Sequence, residues 1–385
     1  MDNKLLSGMN IVMIVSGSIS AYRTPDIVRD LIKSGASVRV ILSKAASRII
    51  GKQALEWASE QSVIEELTGN MEHINLFAEN REKTVLLVCP ATYNMVGKMA
   101  NGIADDPSGT VFANAIGSHI NTVIVPAMHM EMYDNPIMGK NLKILEELGV
   151  KIVSPRIEDG KAKIMWSDEI IDTILRKKSR GKTILIISGR SDVKIDPVRS
   201  LVNRSTGYTG VCMAREAYRN GYDNIIYLGN SDYRIPHYCE YINCSETDDF
   251  YSKAELIIRS RKIDLITIPA ALSDFSITPS EKKIKSDFAV EIPLNIREKL
   301  IDLVVKIMKE LNLKVPIIRF KLTDEEYSPK DRGQITVVDN ASENPFGIRE
   351  NRYTIYDGNK RLLERTMTKE ELASILLRIG EDTGE

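Results

Sequence analysis

The sequence predicts an α/β fold made of two doubly wound, Rossmann-like parallel-sheet domains. Three observations carry this expectation. Short continuous apolar runs recur along the chain, amphipathic helical stretches lie between them, and one basic, apolar-free break at 176–182 (RKKSRGK) is followed by a fresh apolar run. Continuous apolar strands alternating with helices require a parallel sheet covered on both faces. The first run, 10–15 (NIVMIV), ends in Ser16-Gly17-Ser18, which reads as a turn. Thr24 reads as an N-cap and Pro25 as the first helical residue. Ile27, Val28, Leu31 and Ile32 give that helix an apolar face, and Gly35 ends it. Strands are expected at 37–42, 84–89, 122–125 and 151–153, with the clearest helix at 137–148. The basic break sets the predicted domains at 1–178 and 179–385. In the second, strands are expected at 183–187, 224–228, 264–268, 316–320, 334–338 and 353–356, and a helix at 208–219.

Composition limits the function classes. The 385 residues carry 52 Lys+Arg against 53 Asp+Glu, a formal net charge of -1, so bulk charge excludes a basic nucleic-acid-binding chain, though not a local basic patch. A hydrophobic share of 43% with 27% charged residues belongs to a globular protein, not a disordered one. No apolar run is long enough to span a bilayer. The N-terminal stretch lacks the small-residue cleavage site of a signal peptide. Cys89, Cys212, Cys239 and Cys244 form no CxxC pair, so reduced thiols and a cytoplasmic location are expected. Cys89, at the end of a buried strand, reads as an inert core residue.

In doubly wound sheets, ligands sit beyond the carboxyl ends of the strands, so chemistry is expected in the loops there. The loop Ser16-Gly17-Ser18-Ile19-Ser20 lets backbone approach an anion at a helix N-terminus, although an ordinary tight turn needs the same residues. It is not a Walker A loop, because no Gly-Lys-Ser/Thr follows. Cys89-Pro90-Ala91-Thr92-Tyr93-Asn94, Asn101-Gly102-Ile103-Ala104-Asp105-Asp106 and Pro126-Ala127-Met128-His129-Met130 are further polar, small-residue loops after strands.

Together with His73-Ile74-Asn75-Leu76, these motifs resemble, in order and rough spacing over about residues 9–175, the flavin-containing cysteine decarboxylases. They most resemble the decarboxylase half of the bifunctional phosphopantothenoylcysteine decarboxylase/phosphopantothenate–cysteine ligases of coenzyme A synthesis. The resemblance implies a flavodoxin-like domain that binds FMN. By analogy Gly17, Ser18 and Ser43 meet its phosphate, and Thr92, Asn94 and Ala104 line the flavin. His73 aligns with the family's active histidine, a proton-transfer group, while the cofactor carries the redox step. His129 stands where the family asparagine holds the substrate carboxylate. It retains a hydrogen-bond donor and, as an imidazolium, pairs with a carboxylate, a form that matches archaeal-type members. The stretch 154–163 corresponds to a lid that carries a cysteine in bacterial members and has none here.

The second half resembles the ligase. Asp196-Pro197-Val198-Arg199 followed by Asn203-Arg204-Ser205-Thr206-Gly207 is the specific combination, and Ser205, Thr206 and Gly207 before a helix suit a phosphate. Ala270-Ala271-Leu272-Ser273-Asp274-Phe275, Lys283 and Lys285, Arg319-Phe320-Lys321, Val338-Asp339-Asn340, and Phe346-Gly347 with Asn351 continue the pattern. The implied reaction activates the carboxylate of 4'-phosphopantothenate with a nucleotide triphosphate, usually CTP with Mg²⁺. Cysteine then attacks the acyl-nucleotide. By resemblance Asn203 handles that intermediate, Lys283 and Lys285 neutralise the triphosphate, and Asp274 and Phe320 meet the nucleotide. The family's loops differ at Ser188-Gly189-Arg190, at Tyr208 in place of a lysine, and at Arg319. Arg190 is expected to take over phosphate binding. These departures leave open an alternative, an FMN-dependent decarboxylase whose second half serves assembly. The resemblance also implies a homo-oligomer, with trimeric flavin domains and dimeric ligase domains. No residue set for a metal stands out.

Overall fold

The computed structural model describes residues 4–285, 291–324, 327, 334–340 and 350–382. It forms two compact units, Met1–Leu175 and Arg176–Glu385. Among the described residues, no helix is long and apolar enough to cross a membrane.

The first unit is built on a five-stranded parallel sheet. Its spatial order is Ser37–Leu42, Asn10–Val15, Thr84–Ala91, Asn121–Pro126 and Lys151–Ile152. Both faces are buried because successive side chains of one strand point to opposite faces. Met13 and Val15 pack with Val28 and Leu31 of the Thr24–Lys33 helix, while Val12 and Ile14 pack with Val96 and Phe112 on the other side. The chain runs outward from the first strand in one direction and then in the other. Its switch point lies between Asn10–Val15 and Thr84–Ala91, where a doubly wound sheet opens a crevice.

Thr24 is not the N-cap. A 3₁₀ turn, Ile19–Arg23, runs directly into the helix, so Arg23 is already helical at φ -87° and ψ -10°. The Thr24 hydroxyl instead donates to the carbonyl of Ala21 at 2.7 Å. Gly35 ends the helix at φ +98°, as a left-handed residue should.

The second unit carries an eight-stranded sheet ordered Glu240–Asn243, Asn224–Gly229, Thr183–Ser188, Leu265–Ile268, Ile317–Thr323, Ile335–Asn340, Glu350–Asp357 and Lys360–Thr368. The first six strands are parallel and the last two antiparallel. Glu240–Asn243 and Lys360–Thr368 were not among the expected strands. Only Gly358 and Asn359 separate the last pair, too few residues for a parallel crossover, so the sheet ends in a hairpin. Ile184 and Ile186 face one core and Leu185 and Ile187 the other.

Candidate active sites

In the first unit, Ser16 ties the two strands of the switch point together. Its buried hydroxyl donates to the Pro90 carbonyl at 2.7 Å and accepts from the Thr92 amide at 3.0 Å. Next to it, a Cβ on Gly17 would stand 2.5 Å from Ala45 Cβ. Only glycine lets the loops after the first and second strands approach this closely. Ser18 donates to the Ala127 carbonyl at 3.2 Å, and the Ser43 hydroxyl accepts from the Ala46 amide at 3.2 Å. Thr92 caps the Tyr93–Ala100 helix, accepting from the Met95 amide at 3.2 Å. These residues border a cleft of about 1480 Å³.

Gly17, Ser18, Ser43, Thr92, Asn94 and His129 all line this cleft. Ala104 and His73 do not, although their neighbours Asp105 and Glu72 do. The Ala104 backbone lies against the Pro107–Gly117 helix, where a Cβ on Gly109 would come within 2.9 Å of Ala104 Cα. His73 sits in the single helical turn Glu72–Asn75, with its carbonyl accepting from the Asn114 side chain and its Nδ1 buried without a hydrogen-bond partner. Lys98 also lines the cleft, bound to Asp105 at 2.7 Å; that bond holds its ammonium above the usual lysine range. Sequence patterns did not single it out.

The cysteine-free stretch forms part of the same wall. Arg156–Glu158 and Lys161–Lys163 make a hairpin whose second strand pairs with Met128–His129, setting His129 opposite Lys161. Asp159 and Gly160, at φ +52° and +66°, form its turn. The buried Arg156 guanidinium anchors it, 3.8 Å over the Trp166 ring and donating to the Ile164 carbonyl at 2.9 Å. Cys89 is fully buried, and burial pushes its thiol well above the ordinary range, which fits an inert core residue.

In the second unit, Arg190, Asn203, Ser205, Thr206, Gly207, Asp274 and Phe320 all line one cavity of about 1760 Å³. Gly207, at φ +73°, starts the Tyr208–Arg219 helix; a Cβ there would meet the Asn230 carbonyl at 2.6 Å. Asn203 donates to the Ala271 carbonyl at 3.0 Å, bringing its loop against the Ala270-Ala271 segment. Arg190 donates to the Ser205 carbonyl at 2.7 Å and to both oxygens of Asp232.

Lys283 and Lys285 are exposed and do not line the cavity. Their segment is fastened elsewhere. The enclosed Asp196 carboxylate accepts from the amides of Val198, Arg199 and Ile284 at 2.8, 2.9 and 3.1 Å, and from the Arg199 guanidinium at 3.0 Å. Asp-Pro-Val-Arg is therefore a structural knot that holds the lysine segment. Phe346 and Gly347 lie outside the described residues. Asn351 is buried and Asp339 half-buried, and both line the cavity. Sequence patterns missed Asp232 and Glu370 there, since neither belongs to a short motif.

Comparison with known proteins agrees over both halves. The flavoprotein family matches residues 2–179, and the DNA/pantothenate metabolism flavoprotein C-terminal domain matches 179–381. The coenzyme A biosynthesis bifunctional protein CoaBC of Thermococcus kodakarensis is 36% identical, covering 97% of this chain and 95% of that one. The protein of the same name from Methanocaldococcus jannaschii is 33% identical, covering 80% and 76%. Among solved structures, the FMN-dependent cysteine decarboxylase SpaF is similar at 26% identity and a TM-score of 0.38, covering 44% of this chain and 97% of that one. The chain belongs to the coenzyme A biosynthesis bifunctional proteins, enzymes that join a flavoprotein decarboxylase to a ligase.

Proposed function

We propose that the second unit joins cysteine to 4'-phosphopantothenate at the expense of CTP, and that the first decarboxylates the resulting 4'-phospho-N-pantothenoylcysteine to 4'-phosphopantetheine with FMN. The observation that carries the ligase reading is the convergence of Asn203, Ser205, Thr206 and Asp274 on one cavity. Ser205 and Thr206 stand at a helix N-terminus, which favours phosphate. Asn203 is proposed to hold the acyl-nucleotide, and Asp274 and Phe320 to meet the nucleotide. Arg190 is proposed to brace the phosphate turn through the Ser205 carbonyl. Mg²⁺ is proposed to enter with the triphosphate. Lys283 and Lys285 would have to approach from their exposed segment to neutralise it.

The first cleft fits FMN on its own geometry. The close packing of Gly17 on Ala45, which a Cβ would break, brings the Ser18 and Ser43 hydroxyls at two strand ends to one cleft. Its volume of about 1480 Å³ leaves room for substrate beside a cofactor. Thr92 and Asn94 are proposed to line the isoalloxazine, with Ala104 at its border. Bound FMN supplies the redox chemistry of the thiol. His129 is proposed to take the substrate carboxylate, by hydrogen bond or as imidazolium, and His73 to move the proton. A homo-oligomer, trimeric through the flavin units and dimeric through the ligase units, is part of the proposal by resemblance to the family. A cytoplasmic location completes the reading.

The test uses purified full-length protein with its flavin recorded by absorbance. It is incubated with 4'-phosphopantothenate, cysteine, Mg²⁺ and either CTP or ATP, and the products are identified by mass spectrometry. 4'-Phosphopantetheine is expected with CTP. Decarboxylation of supplied 4'-phospho-N-pantothenoylcysteine without any ligation would overturn the ligase half of the proposal.

A further inference from the structure

The ligase cavity has a second polar wall that the nucleotide and phosphate residues do not explain. Asp339, Asn351, Tyr353 and Glu370 line it, from three different elements at the far edge of the sheet. Tyr208, the first residue of the helix behind the phosphate turn, reaches across to this wall and donates its hydroxyl to Glu370 Oε1 at 2.5 Å. That uses the only proton of the phenol. Glu370 Oε2 is buried with no hydrogen-bond partner, and so is Asn351 Oδ1. Asn351 itself is only 8% exposed. Its amide orientation is fixed chemically. Nδ2 donates to Asp339 Oδ2 at 3.2 Å, and an ionised carboxylate accepts only, so the oxygen must face away from it.

Two buried acceptor oxygens, one of them on a carboxylate, thus make no hydrogen bond on one cavity wall, with the Tyr353 phenol beside Asn351. A place in the first turn of the Lys369–Asp382 helix accounts for a carboxylate at 370, but not for burying its second oxygen unpaired. Such groups are costly and stand out where a ligand supplies the missing donor. The donor must carry several N–H groups, and a full positive charge suits a wall with the Asp339 and Glu370 carboxylates better than a neutral amine does. Lys369 lines the same wall and lies 5.9 Å from the Tyr208 ring centroid, so one cation already borders the seat without closing either oxygen.

We propose that Glu370 Oε2 and Asn351 Oδ1 form the seat for the α-ammonium of the amino-acid co-substrate. This rests on the ligase reading above and assigns its second substrate to a place. Both residues line the cavity, so their buried oxygens would have to turn toward it to meet the incoming ammonium. Tyr208 then links the two substrates mechanically, because it joins the phosphate helix to the ammonium seat.

The test measures steady-state ligation by the full-length protein and its Glu370→Gln variant, varying cysteine and CTP separately. The cysteine KM is expected to rise at least ten-fold while the CTP KM stays within two-fold. An unchanged cysteine KM, or a rise in the CTP KM instead, overturns the proposal; the second result assigns the wall to the amino group of the base. A second measurement needs no variant. With the unaltered protein, cysteamine, which keeps the ammonium, is expected to compete with cysteine at least ten-fold better than 3-mercaptopropionate, which lacks it. Equal competition by the two overturns the proposal. A protein that makes no amide at all fails at the ligase reading, whereas one that ligates normally in the Glu370→Gln form refutes the seat alone.

Discussion

The Arg190 guanidinium meets the Asp232 carboxylate side-on, with Nη1 2.9 Å from Oδ2 and Nη2 3.0 Å from Oδ1. The same Nη1 donates to the Ser205 carbonyl at 2.7 Å. The pairing holds the Asp232 carboxyl below its usual range and the guanidinium above its own. Arg190 is therefore already committed to protein groups. On the proposed ligase reading it would fix the turn at Ser205, and it does not stand as a free cation.

Replacing Arg190 with alanine should then weaken nucleotide use without touching the other unit. A charge-assisted hydrogen bond contributes about 1.5–3 kcal/mol when shielded, and exposure of both partners reduces that. A five- to ten-fold fall in kcat/KM for CTP is expected, on the order of 1 kcal/mol. Decarboxylation of supplied 4'-phospho-N-pantothenoylcysteine should stay at its original rate. An unchanged CTP dependence would show that the Ser205 turn holds its shape without Arg190.

Gly17→Ala should strip flavin from the first unit. The new methyl would stand 2.5 Å from Ala45 Cβ, so the loops after the first two strands must part. The ratio of flavin to protein absorbance is expected to fall by more than half. Gly139→Ala is the control, because a Cβ at Gly139 meets nothing within 4 Å. Equal flavin content in the two variants would remove the close approach as the basis of flavin binding.

The fold was legible where burial on both faces writes itself as unbroken apolar runs. Met13 against Val12, and Ile186 against Leu185, face different cores, yet all four are apolar, which is why 10–15 and 183–187 read as strands of a parallel sheet. Lys360–Thr368 was not legible. Its exposed Lys360, Arg361 and Glu364 dilute the apolar signal of an edge strand. The hairpin at 156–163 did carry a readable signal, Asp159-Gly160, because two adjacent left-handed residues favour that dipeptide in a two-residue turn. The sites divide in the same way. Ser16–Ser18 and Asn203–Gly207 are local in sequence and could be named from it. Asp232, Glu370 and the partners of Asp196 are brought in by the folded chain, and no local spacing announces them.

The two histidines near the first cleft should separate by kinetic parameter. His129 lines the cleft on the strand paired with the 156–163 hairpin, so loss of its ring should act on substrate binding. His129→Ala is expected to raise the substrate KM about ten-fold, with His129→Asn recovering part of it through its amide donor. His73 should act on the chemical step. His73→Asn is expected to lower kcat by roughly 10²–10⁴, the usual range for a lost acid–base group, with flavin content unchanged. A KM effect at His73 and a kcat effect at His129 would exchange the two roles.

Asp196 should make the second unit sensitive to acid. Burial alone would raise its carboxyl, but hydrogen bonds from the Val198, Ile284 and Arg199 amides, with the Arg199 charge, outweigh it and hold the group below the ordinary value of 3.8. A depressed folded-state value means that the unfolded chain binds the proton more readily. The stabilisation is complete above the ordinary aspartate range and drains away as pH falls through the lower folded value. From neutrality down to that range, this group adds no pH dependence. Below it, the denaturation midpoint of the second unit should fall, and the fall should be shallower in Asp196→Asn, which has no carboxyl to protonate. The variant should also be less stable at neutral pH, because its amide nitrogen cannot accept from the amides that one carboxylate oxygen accepts now. Urea midpoints of both proteins across the acid range decide the matter. Parallel curves would place the acid sensitivity in other carboxylates and leave Asp-Pro-Val-Arg as a knot held by geometry rather than charge.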